Sequence, residues 1–306
     1  MSLFKRSRTF VTLFIATLLV AMGTFQPLPQ NTRDYLEDNR FWCEKRYGKQ
    51  QYDVLFIGDS RTYECISPKI LQKYIPNMSL YNFGFSGGRI NRQLLTEAER
   101  RLKRNAKRIL VFDCTCIDLM NKENNHFFSI KKVRPVLLML RSIWIREINF
   151  FTDQTRIPHT PFGYMEVKRS KEKNAFLGTL KEYHKDFQNR PFLQSDFKHF
   201  VRNLKWCKQN NIKVVAYRMV SCREMDELED KLSGVDWNKI KQAVLEEGFV
   251  WLERPPSPLL EQIEEHCWDG SHLNAEGAEL FSNWLGQELA KIDWFKEERQ
   301  ISEIKE

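Results

Sequence analysis

The sequence shows no zinc-finger spacing, no P-loop and no aromatic signature of an RNA-recognition motif. Nothing in it points to nucleic acid, and the net charge of +8 suits an anionic membrane surface or an anionic glycan better. Internal repeats and low-complexity tracts are also lacking, which excludes solenoids and repeat arrays. Metal-ligand spacing is lacking as well. Cys114-Thr-Cys116 is a close pair with no matching Cys/His pair elsewhere, so these read as core cysteines and no metal is expected. The chain has 7 cysteines, an odd number, which leaves at least one thiol free in an exported protein. What remains is an ordinary globular composition, 42% hydrophobic and 29% charged over 306 residues, enough for one large domain or two small ones.

The N-terminus sets an expectation about compartment. Lys5, Arg6 and Arg8 precede an uncharged run from Thr9 to Phe25, most apolar between Val11 and Met22. Basic residues ahead of an apolar segment stay on the cytoplasmic side. The run is short for a spanning helix of about 17–25 residues and long for a signal-peptide core of about 7–15. Residues 1–25 therefore read as a signal anchor, the alternative being a signal peptide cleaved near Ala21-Met22-Gly23. Either way the body of the protein is expected outside the cytoplasm. Residues 26–50, with Pro27 and Pro29, read as a connector.

From 51 to about 295 the chain alternates strands and helices. Apolar runs bounded by turn residues predict strands at 53–58, 80–84, 108–112, 213–217 and 249–252. Helices are expected from Ser67-Pro68, over about 90–102, over 195–209, over 236–247 and after Asn274, a good N-cap. This order implies an α/β protein with a parallel sheet. The alternation breaks from 120 to 195. Between 131 and 192 there are 13 Lys/Arg against 6 Asp/Glu, a difference of +7, with a helix expected over 136–145. The stretch reads either as an inserted lid or as a peripheral basic subdomain.

The chemistry-bearing residues lie at strand ends. Ser60 ends Gly58-Asp59-Ser60, directly after the first apolar run. Gly58 lets the chain break sharply there, and ligands of open α/β sheets bind at the carboxyl ends of strands. His272 and Asp269 stand between the last strand and the last helix. In a turn, that spacing lets the carboxylate hold one ring nitrogen while the other faces a nucleophile. Asp59 reads as a turn-stabilising residue. Arg61 either binds an anionic substrate or pairs with an acidic neighbour. Trp268 either lines the site or packs. His126, His159, His184, His199 and His266 have no partner pattern.

These motifs, in this order, resemble the SGNH/GDSL hydrolase superfamily over about 50–290, the insert excepted. Gly58-Asp59-Ser60 matches the first motif, Asn82-Phe-Gly-Phe-Ser-Gly87 looks like the second, and Asp269-Gly-Ser-His272 matches the last. The resemblance implies a flavodoxin-like three-layer α/β/α sandwich with a sheet of about five strands. It implies Ser60 as nucleophile, His272 as general base, Asp269 as its orienter, and the Ser60 and Gly87 N–H groups as oxyanion donors, with no cofactor. The family's third motif, G-x-N-D, has no counterpart: the equivalent stretch is Asp113-Cys-Thr-Cys-Ile-Asp118. Thr115 or Cys116 is the nearest candidate for the missing Asn, with Asn121 shortly after. Some membrane-anchored relatives, including those that modify cell-wall polymers or exopolysaccharides, also lack the standard third motif. The resemblance therefore implies an esterase or O-acyltransferase acting on an acylated small molecule or glycan. The rival expectation is a catalytically weak module that binds a polysaccharide or an assembly partner.

Overall fold

Val54-Leu-Phe-Ile57 forms a fully buried interior strand of the sheet, β1. The computed structural model describes residues 41–42, 44–104, 106–120 and 162–296. The expected N-terminal anchor, the helix at 136–145 and Asn121 lie outside them. Among the described residues no helix is long and apolar enough to cross a membrane. The other strands are β2 (Leu80–Asn82), β3 (Ile109–Cys114), β4 (Lys213–Arg218) and β5 (Val250–Leu252). All pair in parallel, in the order β2-β1-β3-β4-β5. This is the flavodoxin-like order, with its switch point between β1 and β3, where the chain leaves one side of β1 and returns on the other.

Among the described residues ten helices accompany the strands: α1 (Ser60–Cys65), α2 (Pro68–Leu71), α3 (Arg92–Arg101), α4 (Cys116–Leu119), α5 (Lys173–Asn189), α6 (Gln194–Gln209), α7 (Arg223–Leu232), α8 (Trp237–Glu246), α9 (Ser257–Glu265) and α10 (Ala275–Lys291). Alternation along the strands divides the core in two. Leu55, Ile57, Leu110, Phe112, Val214 and Ala216 pack with residues of α3, α6 and α8 on one face. Val54, Phe56, Ile109, Val111, Val215 and Tyr217 pack with α2 and α10 on the other. Covering both faces explains why the strands read as continuous apolar runs, and each large side chain so buried contributes roughly 1.5–3 kcal/mol.

Helix ends follow local chemistry. Asn91 caps α3 by accepting from Leu94 N–H at 3.0 Å, and Asn274 caps α10 by accepting from Gly277 N–H at 3.0 Å. Pro68 stands at the start of α2 as expected, but the Ser67 side chain makes no capping bond; its N–H instead donates to Ser282 Oγ on α10 at 2.9 Å.

Residues 162–195 are part of the same compact unit as the sheet. Asn82 N–H, at the end of β2, donates to Phe162 O at 2.9 Å, and Ala275 N–H donates to Val167 O at 2.8 Å. Lys45, wholly buried, donates to Gly163 O at 2.8 Å, its ammonium about 5 Å from the Phe41, Trp42, Tyr63 and Phe85 rings. The chain then forms α5, whose Phe187 is buried.

Candidate active site

Ser60 is the first residue of α1, set just past the carboxyl end of β1. Asp59 caps that helix by accepting from Arg61 N–H at 2.8 Å, the turn-stabilising role its sequence context suggests. Gly58 is needed for space rather than for an unusual φ: an added Cβ would strike the Thr62 hydroxyl and come within 3.0 Å of the Asp113 carbonyl oxygen. The nucleophile candidate therefore sits where α1 is pressed against β3.

The base candidate comes from the turn between α9 and α10. Asp269 Oδ1 accepts from Ser271 N–H at 3.0 Å and from His272 N–H at 2.7 Å, an Asx-type turn. Trp268 N–H closes it by donating to His272 O at 3.0 Å. Asp269 Oδ2 then lies 2.8 Å from His272 Nδ1, and His272 Nε2 lies 2.7 Å from Ser60 Oγ. With Nδ1–H donating to the carboxylate, Nε2 is left to accept the Ser60 proton. The structure thus brings Ser60, His272 and Asp269 into one hydrogen-bonded chain.

Its electrostatics suit proton transfer. Burial alone would favour neutral imidazole, but the Glu64 charge and the Asp269 hydrogen bond outweigh it and raise the His272 pKa above its ordinary 6.5. Burial would raise the Asp269 carboxyl too; its bonds from the His272 ring and from the His272 and Ser271 N–H groups hold it below the ordinary range instead. Glu64 stands four residues after Ser60, on the same face of α1. It is 6% exposed, and burial pushes its own pKa up.

Gly87 is exposed, with φ +61°, and an added Cβ there would meet nothing within 4 Å. Its loop is held by Phe85 N–H donating to Gly58 O at 3.0 Å and Gly88 N–H donating to Phe85 O at 2.8 Å. The Ser60 N–H, in the first turn of α1, has no intrahelical acceptor.

Other sequence candidates fall differently. Arg61 does not face a substrate. It is 1% exposed because its guanidinium is turned inward, Nη2 donating to Glu229 Oε1 at 2.6 Å and Nε donating to Ser271 Oγ at 3.0 Å. Of the two readings of Arg61, pairing with an acidic neighbour is the one the structure contains. Thr115 and Cys116 are buried and already engaged. Thr115 Oγ1 lies 2.9 Å from Asp59 Oδ2 and 3.0 Å from Asp118 Oδ2. It also caps α4 by accepting from Asp118 N–H. One hydroxyl proton cannot serve two carboxylates, but burial and the nearby Asp59 charge push the Asp118 pKa well up. That shift favours a proton on Asp118, which can then donate to Thr115 while Thr115 donates to Asp59. The Cys116 thiol packs in the core.

Trp268 stands beside the base, its ring 27° from the plane of His272 with centroids 6.3 Å apart. The Arg169 guanidinium lies 4.8 Å over that ring. The six described cysteines are free and buried, as core cysteines should be. Among the described residues no three His, Cys, Asp or Glu side chains group as a metal site. Sequence reasoning missed Glu64, Glu229, Ser271 and Tyr183. Only Glu64 carried a signal, its position one helical turn after Ser60.

No protein-family model matches the chain, and no curated protein does. Among solved structures it is similar to a GDSL-like lipase from Bacteroides thetaiotaomicron, at 11% identity and a TM-score of 0.39 over 84% of this chain and 98% of that one. It is also similar to Axe2, an acetylxylan esterase from Geobacillus stearothermophilus, at 12% identity and a TM-score of 0.40 over 81% of this chain and 96% of that one. Similarity this distant leaves the chemistry to the residues themselves.

Proposed function

We propose that the chain is a serine esterase or O-acyltransferase acting on ester-linked acyl groups, acetyl foremost, of envelope or exopolysaccharide glycans. The observation that carries this reading is the chain Ser60 Oγ–His272 Nε2–His272 Nδ1–Asp269 Oδ2, with links of 2.7 and 2.8 Å. Ser60 Oγ attacks the ester carbonyl carbon while His272 Nε2 takes its proton. Asp269 stabilises the imidazolium that forms. The developing oxyanion is met by the Ser60 and Gly87 N–H groups, such donors being worth about 2.7–4 kcal/mol each. Collapse breaks the alkoxy C–O bond, and His272 returns the proton to the leaving alkoxide, leaving an acyl-enzyme. Water or a sugar hydroxyl then attacks, with His272 again as base, and Ser60 is released. Hydrolysis and transfer use the same residues. The mechanism calls on no metal or organic cofactor.

The engaged Thr115 hydroxyl and the buried Cys116 thiol favour a second reading, a catalytically weak module that binds a polysaccharide or an assembly partner. The intact Ser60–His272 contact weighs for the enzyme, since a third donor tunes the rate and does not create the nucleophile.

The basic front and apolar run of residues 1–25 support a membrane-anchored protein with its catalytic domain outside the cytoplasm, or a secreted one after cleavage. In intact cells or spheroplasts, added protease should cut the body of an anchored chain; full protection would overturn export.

Detergent-solubilised full-length protein should label with a fluorophosphonate probe, and Ser60→Ala and His272→Ala should not. It should also release acetate from aryl acetates or acetylated glycans. No labelling together with no acetate release would sink the enzymatic reading.

A further inference from the structure

Arg61 directly follows the candidate nucleophile, Ser271 directly precedes the candidate base, and the two side chains are bonded to each other. Arg61 Nε donates to Ser271 Oγ at 3.0 Å, and Ser271 Oγ donates to Tyr183 Oη at 3.2 Å. The Arg61 guanidinium also lies 5.5 Å from the Tyr183 ring, and its Nη2 donates to Glu229 Oε1 at 2.6 Å. Arg61 on α1, Glu229 on α7, Tyr183 on α5 and Ser271 in the 269–272 turn thus meet at one planar cation. Arg61, Glu229 and Ser271 are each at most 1% exposed.

We propose that Arg61 is a positioning residue that fixes the spacing of Ser60 and His272 through its bond to Ser271. The inference rests on the catalytic reading of Ser60 and His272 given above. Peptide planarity keeps successive Cα atoms about 3.8 Å apart. Displacement of Ser271 therefore carries His272 with it, and displacement of Arg61 carries Ser60. A guanidinium suits this task because its donors are fixed in one plane. Glu229 sets the orientation of that plane, and Nε–H then meets Ser271 at a defined angle. Lysine, with one rotatable ammonium, cannot hold both directions at once. Arg218 faces the same acid, its Nη2 lying 3.8 Å from Glu229 Oε2; burial pushes the Glu229 pKa up, and the Arg61 and Arg218 charges work against that shift.

Stability alone is a weak reason for such an arrangement, since a buried ion pair often gains little over well-packed apolar side chains. Geometry is the better one. A small misplacement of reacting groups slows a reaction steeply, by about 10²-fold for 1 Å. Substrate binding by Arg61 is a poorer account, because its two hydrogen-bond partners lie inside the protein.

Ser271→Ala in the full-length protein is the cleanest test, because it removes the bridge and leaves the Arg61–Glu229 pair. Its fluorophosphonate labelling per folded molecule should fall roughly ten- to a hundredfold, with the thermal midpoint lowered by the unpaired Arg61 Nε–H but folding retained. Ser271→Thr, which keeps the hydroxyl, should restore most of the rate. Arg61→Lys should lose as much as Ser271→Ala, and the double variant should lose no more than the larger single loss. A folded Ser271→Ala protein that labels at the wild-type rate, or losses that multiply in the double variant, would overturn the proposal.

If wild type itself does not label, the esterase reading falls, and the bridge is then read from the His272 imidazole NMR signals. A shift or broadening in Ser271→Ala supports positioning; unchanged signals overturn it.

Discussion

Ser60 Oγ and His272 Nε2 lie 2.7 Å apart although 212 residues separate them in sequence. The contact depends on Asp269, which holds both the ring, at 2.8 Å from Nδ1, and the turn that presents it. Asp269→Asn separates these duties. Its amide oxygen can still accept the two backbone N–H groups, so the turn should survive. Its NH₂ facing Nδ1 would favour the wrong imidazole tautomer. Loss of about four orders of magnitude in labelling rate is expected, as in comparable triads, with unchanged circular dichroism. A folded variant that keeps near-wild-type labelling would remove Asp269 from the mechanism.

The His272 pKa dictates a pH profile. The folded-state value is raised above 6.5, burial opposing and the Glu64 and Asp269 carboxylates together prevailing, with Arg61 working against them. A general base must be neutral, so labelling should rise with pH through a midpoint above 6.5. Glu64→Gln should move that midpoint down. The stability consequence has the opposite sense. A group whose pKa is higher folded than unfolded stabilises fully below the unfolded value, and that contribution is lost as pH rises through the folded value. His272 should therefore contribute its stabilisation below pH 6.5 and lose it as labelling rises. Labelling rate and denaturant midpoint, measured against pH in wild type and Glu64→Gln, check both. A midpoint unmoved by Glu64→Gln would show that Glu64 does not act on the ring.

These residues differ in how visible they were in the sequence. The five strands were legible because burial on both faces leaves unbroken apolar runs, as in Val54–Ile57 and Ile109–Cys114. Ser60, Asp269 and His272 were legible because their spacing and placement at strand and helix ends carry a local pattern. Arg61 was visible but ambiguous, since its partner Glu229 lies 168 residues away on α7. Helix α5 was missed although Phe176, Leu180, Tyr183 and Phe187 fall at helical spacing and pack against the core. Its basic residues continue those of the preceding segment, and that charge pattern drew the reading. The role of Gly58 was misread because close packing against Thr62 and Asp113 is a tertiary fact.

Thr115 should matter for stability and little for rate. Thr115→Val removes the hydroxyl that links Asp59 to Asp118 and caps α4. Leaving buried carboxylate groups without that partner should cost roughly 1–3 kcal/mol, read as a lower denaturant midpoint. Labelling per folded molecule should stay close to wild type. A large fall in labelling with stability intact would return Thr115 to the oxyanion site.

Gly58 and Gly87 should respond to alanine in opposite ways, because the two glycines are needed for different reasons. At Gly58 the conformation is permitted but the space is not. A methyl group would meet the Thr62 hydroxyl, the Asp113 carbonyl oxygen at 3.0 Å and the Asp113 Cβ at 3.1 Å. Two of these belong to β3 and its side-chain root, which cannot swing aside. Overpacking of this kind should cost about 1–3 kcal/mol and lower the thermal midpoint. At Gly87 the space is open but φ is +61°, a left-handed conformation that costs a residue with a Cβ roughly 1–2 kcal/mol. The exposed loop can relieve that strain by turning its peptide, so the stability change should be small. The turned peptide would no longer aim the Gly87 N–H at the proposed oxyanion position, and loss of one such donor lowers kcat by about 10²–10³. Gly58→Ala should therefore appear mainly in the melting curve and Gly87→Ala mainly in the rate of acetate release. A Gly87→Ala protein that turns over like wild type would mean that the second oxyanion donor lies elsewhere.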